Sequence, residues 1–231
     1  MQKANLELEK PWETTTNRYV AYFDIMGFKD MVLRKTHDEI YQIMINVSKY
    51  VKNASELEWG PRPGKLIRTT IYSDSIIIYS QDHTYSSLQA FIMTVSLITN
   101  QLLFKSIPHK GAVAFGIMTL DETNSIFFGQ PLIDAYLLQE ELELYGVIAH
   151  ATFEGEYQKN QKYGKITCVH NYLCNLKKGN SMNLTIYPIG MALVNVAEFE
   201  KQYTYLLDGC SEMRLTTSGH LRKYIDNTET Y

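Results

Sequence analysis

Apolar and polar positions alternate with two different periods along this chain, and the switches between them outline an α/β domain. Arg18 to Phe23 is dense in aromatic and β-branched residues and predicts a first strand. Ile40, Ile43, Met44, Val47 and Val51 then recur at offsets 0, 3, 4, 7 and 11, the spacing of one helical face, which predicts a helix near residues 37 to 52. Gly60-Pro61-Arg62-Pro63-Gly64 breaks the chain. Beyond it, Leu66 to Ile71 and Ile76 to Ser80 form the arms of a β-hairpin with Ser73-Asp74 at its tip. Leu88, Phe91, Ile92, Val95, Ile98 and Leu102 mark a second helix near 84 to 105. Val113 to Met118 and Ile126 to Phe128 are predicted strands, and Leu132 to Tyr145 a third helix, within 130 to 145. Strands near Lys165 to Val169 and Asn183 to Tyr187, then a helix from about Met191 to Leu207, complete the pattern. The order βαββαββα over the first part predicts an α+β sandwich, with helices packed on one mainly antiparallel central sheet. Residues 1–16 are expected to be a flexible segment, and 17–231 one domain with a C-terminal helical extension.

Composition narrows the function more than the fold. With 45% apolar and 20% charged residues over 231 positions, the chain has a globular composition. A formal charge of -3 and no basic tract argue against a nucleic-acid binder. No signal peptide or membrane span is expected, which predicts a cytoplasmic protein. Cys168, Cys174 and Cys210 show neither CxxC spacing nor a zinc-finger His partner, so reduced thiols are expected. The six histidines share no metal spacing. Among 17 tyrosines, Tyr22, Tyr50 and Tyr72 are candidates for base stacking, though aromatic residues on a sheet also serve cores and interfaces.

The chemistry concentrates in Phe23-Asp24-Ile25-Met26-Gly27-Phe28 and Tyr72-Ser73-Asp74-Ser75. Each places one carboxylate where an apolar run breaks. Burial there drives an aspartate neutral unless a cation sits beside it, and two converging aspartates invite Mg²⁺ or Mn²⁺. Asp24 taken alone also suits a helix start, and Asp74 a hairpin turn.

These strings resemble the class III nucleotidyl cyclases over Arg18 to about Tyr187. Those enzymes carry FxDIxGF at the end of the first strand. Their second metal aspartate follows a glycine at a hairpin turn, where this chain has Ser73-Asp74. A Phe-Gly or Trp-Gly step precedes their third helix, as Phe128-Gly129 precedes Leu132-Ile133-Asp134-Ala135. The resemblance implies a homodimer with shared sites that closes a nucleoside triphosphate to its 3′,5′-cyclic monophosphate. Asp24, Asp74 and the Ile25 carbonyl would hold two Mn²⁺ or Mg²⁺ ions. The amides of Met26, Gly27 and Phe28 would cradle phosphates, with Lys177 and Lys178 as further triphosphate contacts or else a solvated turn.

Departures from the family shape the substrate reading. Where purine cyclases read the base, this chain has Thr70 and Ile126, and the ribose-orienting Asn-x-x-x-Arg aligns with Asp134 and Leu138. The chain is similar to the small stand-alone pyrimidine cyclases of bacterial antiphage (Pycsar) signalling. Arg68, Thr70, Ile126 and Asp134 are the candidate base and ribose pocket. Arg68 as a donor favours UTP, whose 4-position is a carbonyl, and Asp134 as an acceptor favours CTP. UTP is preferred, and cyclic UMP would act through a separate effector protein. The missing arginine also suits a cyclase-like module that binds nucleotide without turning it over.

Overall fold

The aromatic run ahead of Asp24 is buried on both faces, and it forms the centre of the sheet. In the computed structural model, which describes residues 11–57, 64–164, 166–188 and 196–231, β1 (Thr15–Ile25) lies between β3 (Ser75–Ser80) and β4 (His109–Asp121). The strand order is β2 (Ile67–Tyr72), β3, β1, β4, β6 (Val147–Ala149), β8 (Gly179–Ile186) and β7 (Val169–Leu176), with β5 (Ile126–Gly129) paired to β4. Only the β4–β6 pairing is parallel among the described strands, so the mainly antiparallel sheet is as expected.

Alternation along β1 sends its residues to two different layers. Tyr19, Ala21, Phe23 and Ile25 enter the main core with Val47 and Val51 of α2 (His37–Glu56), Leu88, Phe91, Ile92 and Val95 of α3 (Tyr85–Phe104), and Phe153 of α5 (Ala151–Asn160). Thr36 and Glu39 form a reciprocal capping box that fixes the start of α2. On the opposite face, small residues Ala112 and Ala114 of β4 let α4 (Gln130–Glu141) approach through Ala135. The buried Arg18 guanidinium donates to the carbonyls of Glu13, Ser80 and Gln81, which ties the start of β1 to the end of β3. Cys168, Cys174 and Cys210 are free and buried; burial pushes the thiols of Cys168 and Cys210 up to about 11 and that of Cys174 to about 12. By length and mean hydropathy α3 alone among the described helices is apolar enough to cross a membrane, and 67% of that stretch is buried inside the domain.

Several boundaries differ from the sequence reading. The third helix stops at Glu141 rather than Tyr145, because Leu142, Leu144 and Tyr145 leave the helix and turn into the core on the way to β6. The strand placed at Lys165 to Val169 is β7, which begins at Val169 and runs on to Leu176; Lys165 lies outside the described residues. β8 starts at Gly179, four residues before the predicted Asn183, because a tight turn at Lys177-Lys178 closes the hairpin early. The last long helix is α6 (Val196–Thr216), and Met191 to Asn195 and Gly60 to Pro63 are outside the described residues. The sequence reading did not anticipate α1 (Phe28–Arg34), β6 and α5. A final α7 (Arg222–Glu229) ends the extension.

Gly129 closes β5 against β4 and starts α4. A Cβ there would lie 2.5 Å from the Ile117 carbonyl oxygen and 2.9 Å from Met118 Cα. Gly129→Ala is therefore expected to push α4 off the sheet and to lower stability by about 1–3 kcal/mol, read from the urea midpoint.

Candidate functional site

Strand pairing alone brings the two aspartates together. Asp24 faces Ser75 across the β1–β3 ladder, and the Ile25 N–H donates to the Asp74 carbonyl at 2.9 Å. Asp74 therefore sits at the hairpin tip directly beside Asp24. The preceding Ser73 takes φ 56°, in the left-handed region where a glycine is favoured. Tyr22, two residues back on the same face, shares a 2.5 Å hydrogen bond with the Ser75 hydroxyl. Burial pushes the Asp24 carboxyl up to about 6, and the nearby Asp74 charge adds to the shift. Lys110, opposite Asp24 on β4, opposes it. The Lys110 ammonium is itself buried, which lowers its pKa, and it reaches the Glu140 carbonyl at 3.4 Å. The Glu140 carboxylate in turn holds Lys177 at 3.6 Å. A chain of alternating charge thus runs Asp24, Lys110, Glu140, Lys177.

The turn after Asp24 contributes main-chain groups. Ile25 buries its side chain in the core, so only its carbonyl is open to a ligand role. The Met26 N–H donates to the Pro108 carbonyl at 2.9 Å, which takes it out of the predicted phosphate cradle. Gly27 has φ 75° and precedes α1, and a Cβ at Gly27 would meet nothing within 4 Å. The Gly27 and Phe28 amides remain as cradle candidates. Lys178 is largely exposed and reaches Glu141 at 3.8 Å.

The predicted base pocket is not beside the aspartates. Thr70 shares their sheet face, one row in, and its hydroxyl meets that of buried Tyr79 at 3.0 Å. Arg68 lies a row further on, paired with Glu122 at 2.6 Å and stacked over Trp12 at 4.2 Å. Ile126 pairs with Asp121, 11 residues along β4 from Lys110 and so about 36 Å away at roughly 3.3 Å per residue. Asp134 accepts from the Gln130 amide at 2.7 Å and faces His150 at 3.7 Å. Leu138, at the arginine position, packs against the cluster around Ala112 and Ala135. Tyr72 is exposed on the same face as Asp24, and Tyr22 meets Tyr136 edge-on at 5.3 Å.

Lys110 and Glu140 were missed by the sequence reading. A single lysine opening the strand Lys110-Gly111-Ala112-Val113 was the available signal for the first, and its meaning depends on pairing with Asp24.

The donor set fits hard divalent ions. Asp24 and Asp74 are oxygen donors whose repulsion raises the cost of ionising Asp24, a cost that a bound cation would remove. No group of three or more His, Cys, Asp or Glu stands at metal-holding distance among the described residues, so further ligands would be carbonyls, water or substrate.

No protein-family model and no curated protein matches the chain. Among solved structures it is similar to the catalytic core of a rhodopsin-guanylyl cyclase with converted specificity in complex with ATPalphaS. That match has 10% identity and a TM-score of 0.51, covering 74% of this chain and 95% of that one. An adenylate/guanylate cyclase/hydrolase from Silicibacter pomeroyi matches at 12% identity and a TM-score of 0.49, over 75% and 98% of the two chains. The fold is that of the class III nucleotidyl cyclases.

Because the Asp24 carboxyl titrates near 6 in the fold against 3.8 ordinarily, its stabilising contribution is present below about pH 4 and lost as pH rises through about 6. Asp24→Asn is expected to melt at a higher temperature than the wild type above pH 6, with the gap closing at lower pH. Mn²⁺ is expected to raise the wild-type melting temperature above pH 6 and to leave Asp24→Asn and Asp74→Asn unmoved, as differential scanning fluorimetry reads directly.

Proposed function

We propose that this chain is a nucleotidyl cyclase that closes a nucleoside triphosphate to its 3′,5′-cyclic monophosphate and releases pyrophosphate. The observation that carries this reading is the carboxylate pair of Asp24, near the end of β1, and Asp74, at the tip of the adjoining β2–β3 hairpin, with Asp24 pushed up to about 6 in the absence of a sufficient counter-charge. When bound, two Mg²⁺ or Mn²⁺ ions would activate the ribose 3′-hydroxyl and neutralise the leaving group. Asp24, Asp74 and the Ile25 carbonyl would hold them. The 3′-oxygen bonds to the α-phosphorus as the bridging bond to the β-phosphate breaks, and the hydroxyl proton leaves to water. The Gly27 and Phe28 amides and the Lys110 and Lys177 ammonium groups meet the triphosphate.

Two features support a homodimer. The outer face of α4 exposes Ile133, Tyr136 and Leu137, next to exposed Phe128. Arg68 and Ile126 stand far along the sheet from Asp24, so a two-fold partner would bring them to the other subunit's aspartates. Thr70 and Ile126 offer no purine-reading side chain, which supports a pyrimidine, and the Arg68 donors support UTP over CTP. Cyclic UMP would then signal in the cytoplasm to a separate effector in antiviral defence, a role supported by the sequence resemblance. A second reading, a nucleotide-binding module without turnover, is favoured by Leu138 packed into the core where an arginine is expected.

Incubating the protein with each of the four labelled nucleoside triphosphates and Mn²⁺ separates these readings. UTP is expected to be turned over fastest. Preference for ATP or GTP overturns the pyrimidine assignment, preference for CTP overturns the choice of base, and no cyclic product from a folded dimer favours the binding module. Asp24→Ala and Asp74→Ala are each expected to lose at least about 100-fold in kcat. An active monomer by light scattering would sink the shared site.

A further inference from the structure

Tyr22 and Asp24 stand two residues apart on β1 and lie on the same face of the sheet. Asp24 pairs with Ser75 across the β1–β3 ladder, which makes Tyr22 the diagonal neighbour of Ser75, within reach of an aromatic side chain. That reach is used: the Tyr22 and Ser75 hydroxyls share their hydrogen bond at 2.5 Å. The bond runs from the strand that carries Asp24 to the residue that follows Asp74. Tyr136 of α4 meets the Tyr22 ring edge-on at 5.3 Å and limits its swing. Burial raises the Tyr22 pKa, the Ser75 bond opposes the rise, and the charges of Asp24 and Asp74 both add to it, so both carboxylates lie within electrostatic reach of the phenol. Two hydroxyls joined in this way use one hydrogen between them and keep the other for a further acceptor. The hairpin tip itself resists the arrangement. Ser73 holds φ 56° without a glycine's freedom, and the two aspartates repel when both are ionised. Against these, the Ile25 N–H fixes the main chain of the tip through the Asp74 carbonyl, and the hydroxyl pair fixes its side-chain face.

We infer that the Tyr22–Ser75 hydroxyl pair is the positioning element of the metal site, holding the hairpin tip against β1 at the spacing at which Asp24 and Asp74 share a divalent cation. The inference rests on the two-aspartate metal site of the reading above and not on turnover. Tyr22 and Ser75 are positioning residues rather than ligands. They act through the aspartates, removing part of the cost of bringing two carboxylates together before the ion arrives. Thr70 and Tyr79 share a hydroxyl bond of the same kind at 3.0 Å, further along the hairpin and away from the aspartates. Losing that bond loosens the hairpin without touching its tip.

Isothermal titration calorimetry of Mn²⁺ into the full chain, without nucleotide, is the test. Tyr22→Phe and Ser75→Ala are each expected to raise the Kd for Mn²⁺ by about tenfold, the loss typical of a hydrogen bond that supports a metal ligand. The double variant should bind about as tightly as the weaker of the two, because both substitutions break one bond. Tyr79→Phe, which breaks the bond to Thr70 instead, should leave the Kd unchanged even where its urea midpoint falls. A near wild-type Kd in Tyr22→Phe and Ser75→Ala overturns the inference and leaves the metal site intact. Losses that multiply in the double variant, or an equal loss in Tyr79→Phe, overturn it as well. A wild type that binds no Mn²⁺ sinks the metal site itself, and the inference with it.

Discussion

Desolvation of Asp24 is the constraint around which the rest of the structure is arranged. The central strand must be apolar to hold the sheet between two layers, yet it ends in a carboxylate beside a second one. A buried charge of this kind persists only with compensation. Lys110 supplies part of it from the facing strand, and Lys110 is itself costly to bury, so the Glu140 carbonyl and the nearby Glu140 and Asp24 charges offset that second cost. Compensation stops short of neutralising Asp24, whose carboxyl stays well above its ordinary range. A site left under-compensated in this way would gain from a bound cation, whereas ion pairs near the C-terminal end are matched side chain to side chain. Arg214, for instance, is held by both Asp226 and Glu229 at 2.7 Å.

The same strand register that concentrates charge at one end of the sheet keeps the candidate pocket at a distance. Rows run Tyr72, Ser75, Asp24, Lys110, then Thr70, Ile77, Tyr22, Ala112, then Arg68, Tyr79, Val20, Ala114. Two-residue periodicity puts all of these on one face, and the alanines at the β4 end of two rows are small enough to admit α4. Trp12 lies over the third row, between Arg68 and Tyr79. One face therefore carries a charged end at Asp24 and Lys110 and an Arg-Trp end at Arg68 and Trp12, with the Tyr22 row between them.

How much of this was legible in the sequence follows from what kind of signal each feature leaves. Asp24 and Asp74 stand out because each interrupts an apolar run, and the hairpin that joins them was readable from its two arms. The long helices α2 and α3 announced themselves by period. β6, with three residues, is too short to show one, and α5 carries only Phe153 and Tyr157 as buried residues. Leu142, Leu144 and Tyr145 extended the apparent helical stripe because burial in a connection looks the same in sequence as burial in a helix. Lys110 was invisible for a different reason. It takes its meaning from Asp24, distant in sequence and opposite it across the β1–β4 ladder. Arg68 showed the reverse: a plausible free donor in sequence is held by Glu122 and Trp12 in the fold.

The C-terminal extension joins the two halves of the site from behind. Met26, next to the ligand candidates, packs on a cluster formed by Tyr145, Leu206, Cys210, Met213, Tyr224 and Ile225. α7 grips the connection after α4: Lys223 pairs with Glu143, the Asn227 amide donates to the Glu143 carbonyl at 2.6 Å, and the Tyr145 N–H donates to Thr228 at 2.7 Å. Tyr145 and Tyr224 stack at 5.9 Å. Each contact is worth on the order of 1 kcal/mol, so none alone fixes the connection. Acting together on Glu143 and Tyr145, they leave α4 little freedom at the end where Glu140 meets Lys110 and Lys177. The turn after Asp24 and the end of α4 that meets Lys110 and Lys177 thus share one support, and the spacing between Asp24 and these cations depends on α6 and α7, which begin more than 50 residues after α4 ends.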